Sequence, residues 1–293
     1  MPNIQIVTDS SAHFAVPHFL HQFPMVTIVP NFIHIGGKIY RDGFDLTPDE
    51  GFRLIAHQPH TATVKGPTEA DFVETYRRLV QNGCDGIISI HASREILPSY
   101  NNALAAASQF GSSCPIAVID SQNLCAGQGM LVKAAVKATQ KHELLDDMVR
   151  ELRGAIERIF SLYYVETVHA LQHNQIMSPS HMVLSSLLGI KAFLGIENGH
   201  IQVVEKVRTR TQAVDRLVDF VMEFADLEDV VILQHKSYLS EQARMIQDRL
   251  SIDFPDQYFT HSMYGATLAA LIGTDATGVV IMEKEMEDLE DDF

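Results

Sequence analysis

Short apolar runs alternate with amphipathic stretches along most of the chain. Ile4-Gln5-Ile6-Val7 reads as a strand and ends in the polar turn Thr8-Asp9-Ser10-Ser11, where Asp9 is suited to accept from backbone N–H groups. A helical stretch starts at Val16-Pro17, and residues 25–32 read as a second strand interrupted by Pro30. Gly36-Gly37 is a hairpin-like turn before Lys38-Ile39-Tyr40. Thr47-Pro48-Asp49-Glu50 predicts a helix start, with Thr47 as N-cap, Pro48 in the first position and Glu50 closing a capping box; Phe52 and Ile55 then face inward. Residues 61–68 compose a loop, and the helix after it, over 69–80, has Phe72, Tyr76 and Leu79 on one face.

The next segment is the most suggestive. Residues 84–90 predict a strand buried on both faces, through Ile87-Ile88-Ser89-Ile90. The chain then turns polar at His91, Ser93, Arg94 and Glu95, and a helix follows with Tyr100, Ala103, Leu104 and Ala107 at helical spacing. Strand, polar turn, helix is how an open α/β sheet builds a ligand site, although an ordinary solvated turn has the same pattern. Ile116 to Ile119 is another strand, ending at Asp120-Ser121, and Gly127-Gln128-Gly129 opens a helix. These glycines form only a fragment of a dinucleotide fingerprint; close helix–sheet packing is the simpler reading. Residues 144–163 read as one long helix joining two halves.

In the second half, 164–168 resembles a strand and 182–194 a buried helix and turn. Asn198-Gly199 is a type I′ hairpin signal between Phe193-Leu194 and Ile201-Val203-Val204. Helices are expected over 211–225, with Val214, Leu217, Val218 and Val221 inward, and over 240–250 and 266–271; strands over 230–233, 258–262 and 278–282. The fold class is therefore α/β in two domains: a mainly parallel-sheet, three-layer domain over 1–155 and a mixed-sheet domain over 156–293.

Composition narrows the function. The chain has 293 residues, 46% of them hydrophobic, enough to bury a sizeable core. A formal charge of −15 argues against nucleic acid or anionic membrane as partner. Part of that charge lies in the acidic tail, residues 283–293, which reads as a solvated terminus. Neither a signal peptide nor a bilayer-spanning run is visible, and Cys84, Cys114 and Cys125 lack metal or disulfide spacing, so a reduced, cytoplasmic setting is expected. His18/His21 and His57/His60 are i, i+3 pairs, but with no carboxylate or cysteine set at zinc-like spacing no metal is expected. No nucleophile elbow or Walker loop is present.

Seven short motifs, in order, resemble those of the DegV family. They are Ile6-Val7-Thr8-Asp9-Ser10-Ser11-Ala12; Tyr40-Arg41-Asp42-Gly43; Lys65-Gly66-Pro67-Thr68 with Asp71-Phe72; the stretch SREILPSY over 93–100; Asp120-Ser121 with Gly127 and Gly129; His235 in LQHKSYLSEQA; and His261-Ser262-Met263-Tyr264-Gly265-Ala266. The resemblance covers nearly the whole chain. It implies a two-domain protein that holds a fatty acid or related acyl lipid between its domains, without an organic cofactor, and presents the head group to a separate fatty acid kinase subunit. The head-group contacts it implies are Thr63 or Lys65, Ser93 and His261.

This chain departs from the family pattern at several of these places. Lys65 stands at a serine position and Gly66 at a glutamine, Arg94 at a second serine, and Leu97-Pro98 replaces Ser-Gly. Gln172-His173-Asn174-Gln175-Ile176 occupies a segment that in the family carries an arginine associated with kinase docking. Lys65 and Arg94, if turned inward, would suit a more anionic head group than a fatty acid; if turned outward they are ordinary surface charges, with Arg94 paired to a neighbour. Two rival readings stand beside the carrier: a hydrolase or transferase using Ser93 with His261, and a binder of another anionic metabolite.

Overall fold

A computed structural model describes residues 2–285 apart from 17, 59–60, 112–113 and 177–190. The first half runs β1 (Ile4–Asp9), α1 (Phe19–Gln22), β2 (Val26–Val29), β3 (Phe32–Ile35), β4 (Lys38–Arg41), α2 (Pro48–His57), β5 (Thr63–Lys65), α3 (Glu69–Gln81), β6 (Gly86–His91), α4 (Ser99–Ala107), β7 (Ile116–Asp120), α5 (Ala126–Lys141) and α6 (Leu145–Ile156). The second runs β8 (Ile159–Val165), α7 (His169–His173), β9 (Lys191–Glu197), β10 (His200–Val207), α8 (Arg210–Met222), β11 (Leu227–Gln234), α9 (Glu241–Asp253), β12 (Thr260–Met263), α10 (Ala266–Ile272) and β13 (Thr277–Glu283).

Two main sheets result, and no strand of one pairs with a strand of the other among the described residues. The first is fully parallel in the order β2-β1-β6-β7; the second is mixed, in the order β10-β9-β8-β13-β11-β12. A small antiparallel sheet, β4-β3-β5, flanks the first. This is the expected two-domain α/β class, with a parallel and a mixed sheet.

Helix α5 is the layer between the two main sheets. It packs on β1 and β6 on one side and on β8, β11 and β13 on the other. That position accounts for its composition: 12 of its 16 residues are buried, so it lacks the polar stripe of a surface helix. Met130, Leu131, Val132 and Val136 join one apolar cluster that runs from Ile6 and Ile88 to Tyr163 and Leu233. Full burial of each contributes about 1.5–3 kcal/mol. Gly129 sits where a Cβ would collide with the His13 carbonyl, so a side chain there would push α5 off its seat.

The outer faces have their own cores. Phe72, Tyr76 and Leu79 of α3 and Ala103 and Ala106 of α4 cover the first sheet, while Val214, Leu217, Val218 and Val221 of α8 cover the second with Ile246 of α9. Of the residues at helical spacing in α4, Leu104 is exposed, and the small Ala103, with Ala106, faces the sheet. The capping box at Thr47/Glu50 forms as expected.

Two expected elements differ. The stretch 144–163 is α6 followed by a turn and β8, because Phe160 to Tyr164 pair with β13, a partner that no local spacing reveals. Within the expected loop 61–68, Thr63–Lys65 form β5 by pairing with β3. The expected helix over 182–194 falls largely outside the described residues, and its end, from Lys191, is β9.

Candidate functional site

In the first sheet β2 lies on one side of β1, and β6 and β7 on the other. The chain's connections therefore diverge between β1 and β6, and the crevice outside their carboxyl ends is where an open α/β sheet accepts a ligand. Asp9-Ser10-Ser11 leave β1 there, and His91-Ala92-Ser93 leave β6.

Asp9 and His91 are fully buried. Asp9 Oδ2 accepts from His91 Nδ1 at 3.0 Å and from the Ala92 amide at 3.2 Å; its Oδ1 accepts from the Ser11 amide at 3.0 Å. Burial alone would raise this carboxyl, yet the bonds from His91 and Ser11 outweigh it and hold the group below the usual carboxylate range. The expectation that Asp9 braces its turn is met, and the brace also reaches across to β6. His91 Nε2 lies 2.7 Å from Ser89 Oγ, which lies 2.7 Å from Tyr76 OH.

A second polar cluster ties the halves together. Asp42 Oδ2 accepts from Thr267 Oγ1 of α10 at 2.6 Å and from Ser10 Oγ at 3.2 Å. Asn31 Nδ2 donates to Ser11 Oγ at 2.8 Å and Thr267 Oγ1 at 3.2 Å. Burial raises the Asp42 carboxyl, against the bonds from Thr267 and Ser10 that favour its charge. His13 Nε2 reaches Ser262 Oγ of β12 at 2.8 Å, a third link across the interface.

Ser93 stands at the junction. Its amide donates to the Asn123 carbonyl at 2.9 Å, its carbonyl accepts from Ile96 and Leu97, and its Oγ accepts from the Glu95 amide at 3.2 Å. It has no exposure, and the β9–β10 hairpin tip at Asn198-Gly199 rests on it. Beside it opens a cleft of about 270 Å³ with walls from both halves: Val64, Ile96, Leu97, Ile176, Ile201 and Leu271 supply its apolar surface, and Glu95, Asn174, Gln175 and His200 make most of its open surface polar. Glu95 and His200 stand 3.6 Å apart at this cleft.

The structure places the other sequence-derived candidates elsewhere. Arg94 turns outward, bonds Asp120 Oδ2 at 2.8 Å and lies over the Tyr100 ring. Val64 lines the cleft, so the alternation of β5 directs Thr63 and Lys65 to its opposite face; Lys65 is exposed. His261 is exposed on β12, an edge strand, and its neighbour Ser262 is the residue that bonds the first half. Ser93 thus meets Gly199 of the β9–β10 hairpin. His91, Asn31, Thr267 and Gly199 escaped the sequence reading as interface residues; His91 carried the one visible signal, a polar residue closing an apolar strand.

A larger cavity of about 330 Å³ lies away from this junction, at the carboxyl ends of β8 and β11, lined by Glu166, Arg210, His235 and Gln242. Of the cations that line it, Arg210 bonds Glu166 at 2.5 Å and Lys236 lies over the Tyr238 ring. Among the described residues no three His, Cys, Asp or Glu side chains converge as a metal site.

Comparison with known proteins places these features in context. The sequence profile described as "Uncharacterised protein, DegV family" matches residues 3–284. A DegV domain-containing protein of Streptomyces coelicolor is 27% identical over 283 residues, 96% of this chain and 99% of that one. The solved structure of a fatty acid binding DegV family protein from Streptococcus agalactiae superposes with a TM-score of 0.86 at 25% identity, over 97% of this chain and 100% of that one. A stearic-acid-binding protein from Eubacterium ventriosum has the same fold, with a TM-score of 0.82 at 19% identity over 96% and 98% of the two chains.

Proposed function

We propose, for a chain that belongs to the DegV family, that it binds a fatty acid or related acyl lipid between its halves, 1–155 and 156–293, with the head group at Ser93. The observation that carries the reading is the position of Ser93: a buried hydroxyl at the switch point of the parallel sheet, beside a cleft lined from both halves. Its Oγ already accepts from Glu95, so its hydrogen is left to donate to a carboxylate oxygen. An acyl chain supplies affinity at about 0.8 kcal/mol per buried methylene, and a few polar groups fix its direction.

The reading is of a carrier and not of an enzyme. Relatives are described as fatty acid binding, and Ser93 has no histidine at its hydroxyl among its described bonds. It also stops short of a kinase partner, since residues 172–176 lack the arginine that the family resemblance associates with docking. No helix among the described residues is long and apolar enough to cross a membrane, and we place the protein in the cytoplasm.

Mass spectrometry of the lipid extracted from purified protein tests the reading. A fatty acid at near one per chain is expected, lost on delipidation and regained on adding stearate. A delipidated protein that takes up no stearate would overturn it.

A further inference from the structure

We propose that Asp9 and His91 are positioning residues for Ser93: the carboxylate locks the end of β1 to the end of β6, and the imidazole holds the carboxylate in place. The proposal rests on Ser93 being a head-group contact of the bound acyl lipid.

A carboxylate with no exposure is expensive, and Asp9 has no lysine or arginine partner among the described residues. It is held entirely by donors. Two of them are backbone amides on different strands, that of Ser11 after β1 and that of Ala92 after β6. Ala92 is the residue immediately before Ser93. With the Ser93 amide on Asn123 and its carbonyl on Ile96 and Leu97, the peptides on both sides of the serine are fixed, and the Glu95 amide holds its Oγ.

The third donor, His91, is itself held. One assignment of protons uses every hydrogen in the row: Tyr76 donates to Ser89, Ser89 to His91 Nε2, and His91 Nδ1 to Asp9. Burial keeps the Tyr76 phenol protonated, by raising it well beyond its ordinary value. The Phe72 ring packs edgewise on the imidazole at 4.7 Å. The serine, histidine and aspartate here have the connectivity of a hydrolytic triad, but Ser89 lies sealed under α3 with its oxygen on Tyr76, so no substrate reaches it. What remains for this row to do is geometric.

From the other side of Asp9 the same lock continues. Ser11 bonds Asn31, and Asn31 bonds Thr267 of the second half. The Ser93 turn is thereby registered to the opposite wall of the cleft as well as to its own sheet.

A double-mutant cycle on the full chain, delipidated and titrated with stearate, separates positioning from general damage. Ser93→Ala, His91→Phe and the double variant are compared for both stearate affinity and melting temperature. We expect Ser93→Ala to weaken binding about tenfold and His91→Phe by about the same, with His91→Phe costing less than about twofold once Ser93 is absent, because a lost hydrogen bond cannot be lost twice. His91→Asn, whose amide can donate to Asp9 but cannot reach Ser89, should restore binding to within about threefold. If His91→Phe does not fold, Asp9→Asn completes the cycle, since it keeps the volume and replaces one acceptor by a donor. An equal loss from His91→Phe with and without Ser93 would overturn the positioning role while leaving the lipid reading intact. No loss from Ser93→Ala would remove the head-group contact itself, and the positioning proposal with it.

Discussion

Gly199, at the tip of the β9–β10 hairpin, lies so close over Ser93 that a Cβ there would collide with the serine hydroxyl. The two residues lie in turns that leave different sheets, and their contact helps to remove Ser93 from solvent. Gly199 has φ +80°, a conformation that a residue with a side chain rarely adopts.

Backbone strain and collision can be separated, because Gly37 also has φ +80° but has nothing within 4 Å of where its Cβ would stand. Gly37→Ala should cost about 1 kcal/mol, from strain alone. Gly199→Ala should cost about 2–4 kcal/mol, strain plus the crowding of Ser93. Adding Ser93→Ala to Gly199→Ala should recover most of the difference. Urea midpoints at equal slope measure all three, and equal losses for the two glycines would show that the hairpin tip does not press on Ser93.

The cationic departures at Lys65 and Arg94 are surface charges in this arrangement, Arg94 on Asp120 and Lys65 exposed. Lys65→Ser with Arg94→Ser should leave stearate affinity within about twofold, and should not alter the preference between fatty acid and acyl phosphate, because exposed pairs contribute little. A change in that preference would show that one of them turns inward when lipid binds.

What could be read from the sequence was local. The face of α3 follows from Phe72, Tyr76 and Leu79 at helical spacing, and the start of α2 from one capping box. Asp9 could be assigned to its turn because the Ser11 amide is two residues away. Its bond to His91 spans 82 residues, and no spacing rule reaches that far. The same limit hid β8 inside an apparent helix: Leu152, Ile156 and Ile159 continue a helical period, and only pairing with β13 and β9 makes a strand of residues 159–165. The family motifs located the polar turns correctly along the chain, but which side chains face the cleft depends on strand phase. At β5 that phase put Val64, not Thr63 or Lys65, on the cleft.

Serine-dependent ester hydrolysis is not expected. Ser93 touches the hairpin and the Glu95 amide; of the two serines bonded to a histidine among the described residues, Ser89 is sealed in the core and Ser262 bonds a buried His13 with no carboxylate on its ring. Wild type, Ser93→Ala and Ser89→Ala should turn over p-nitrophenyl acyl esters at a common background rate. A rate that falls in Ser93→Ala alone would revive the hydrolase reading.

His13 ties the pH dependence of stability to the interface. Its Nε2 lies 2.8 Å from Ser262 of β12, and burial pushes its imidazole down to about 4. The unfolded imidazole takes up a proton near 6.5. Above about pH 6.5 both states are neutral and the contribution of His13 is fully present. As pH falls from there to about 4, the unfolded chain binds a proton that the folded one refuses, so stability drops, and below about 4 the loss levels off. The drop should be on the order of 2–3 kcal/mol. His235, also lowered by burial, changes in the same window, and Asp42, raised by burial, opposes it, so the wild-type curve alone cannot isolate His13. The difference from His13→Asn can: it should be flat above pH 6.5 and close by that amount toward pH 4. Urea unfolding at half-unit steps of pH measures it, and parallel curves for the two proteins would place the His13 ring in solvent instead of between the halves.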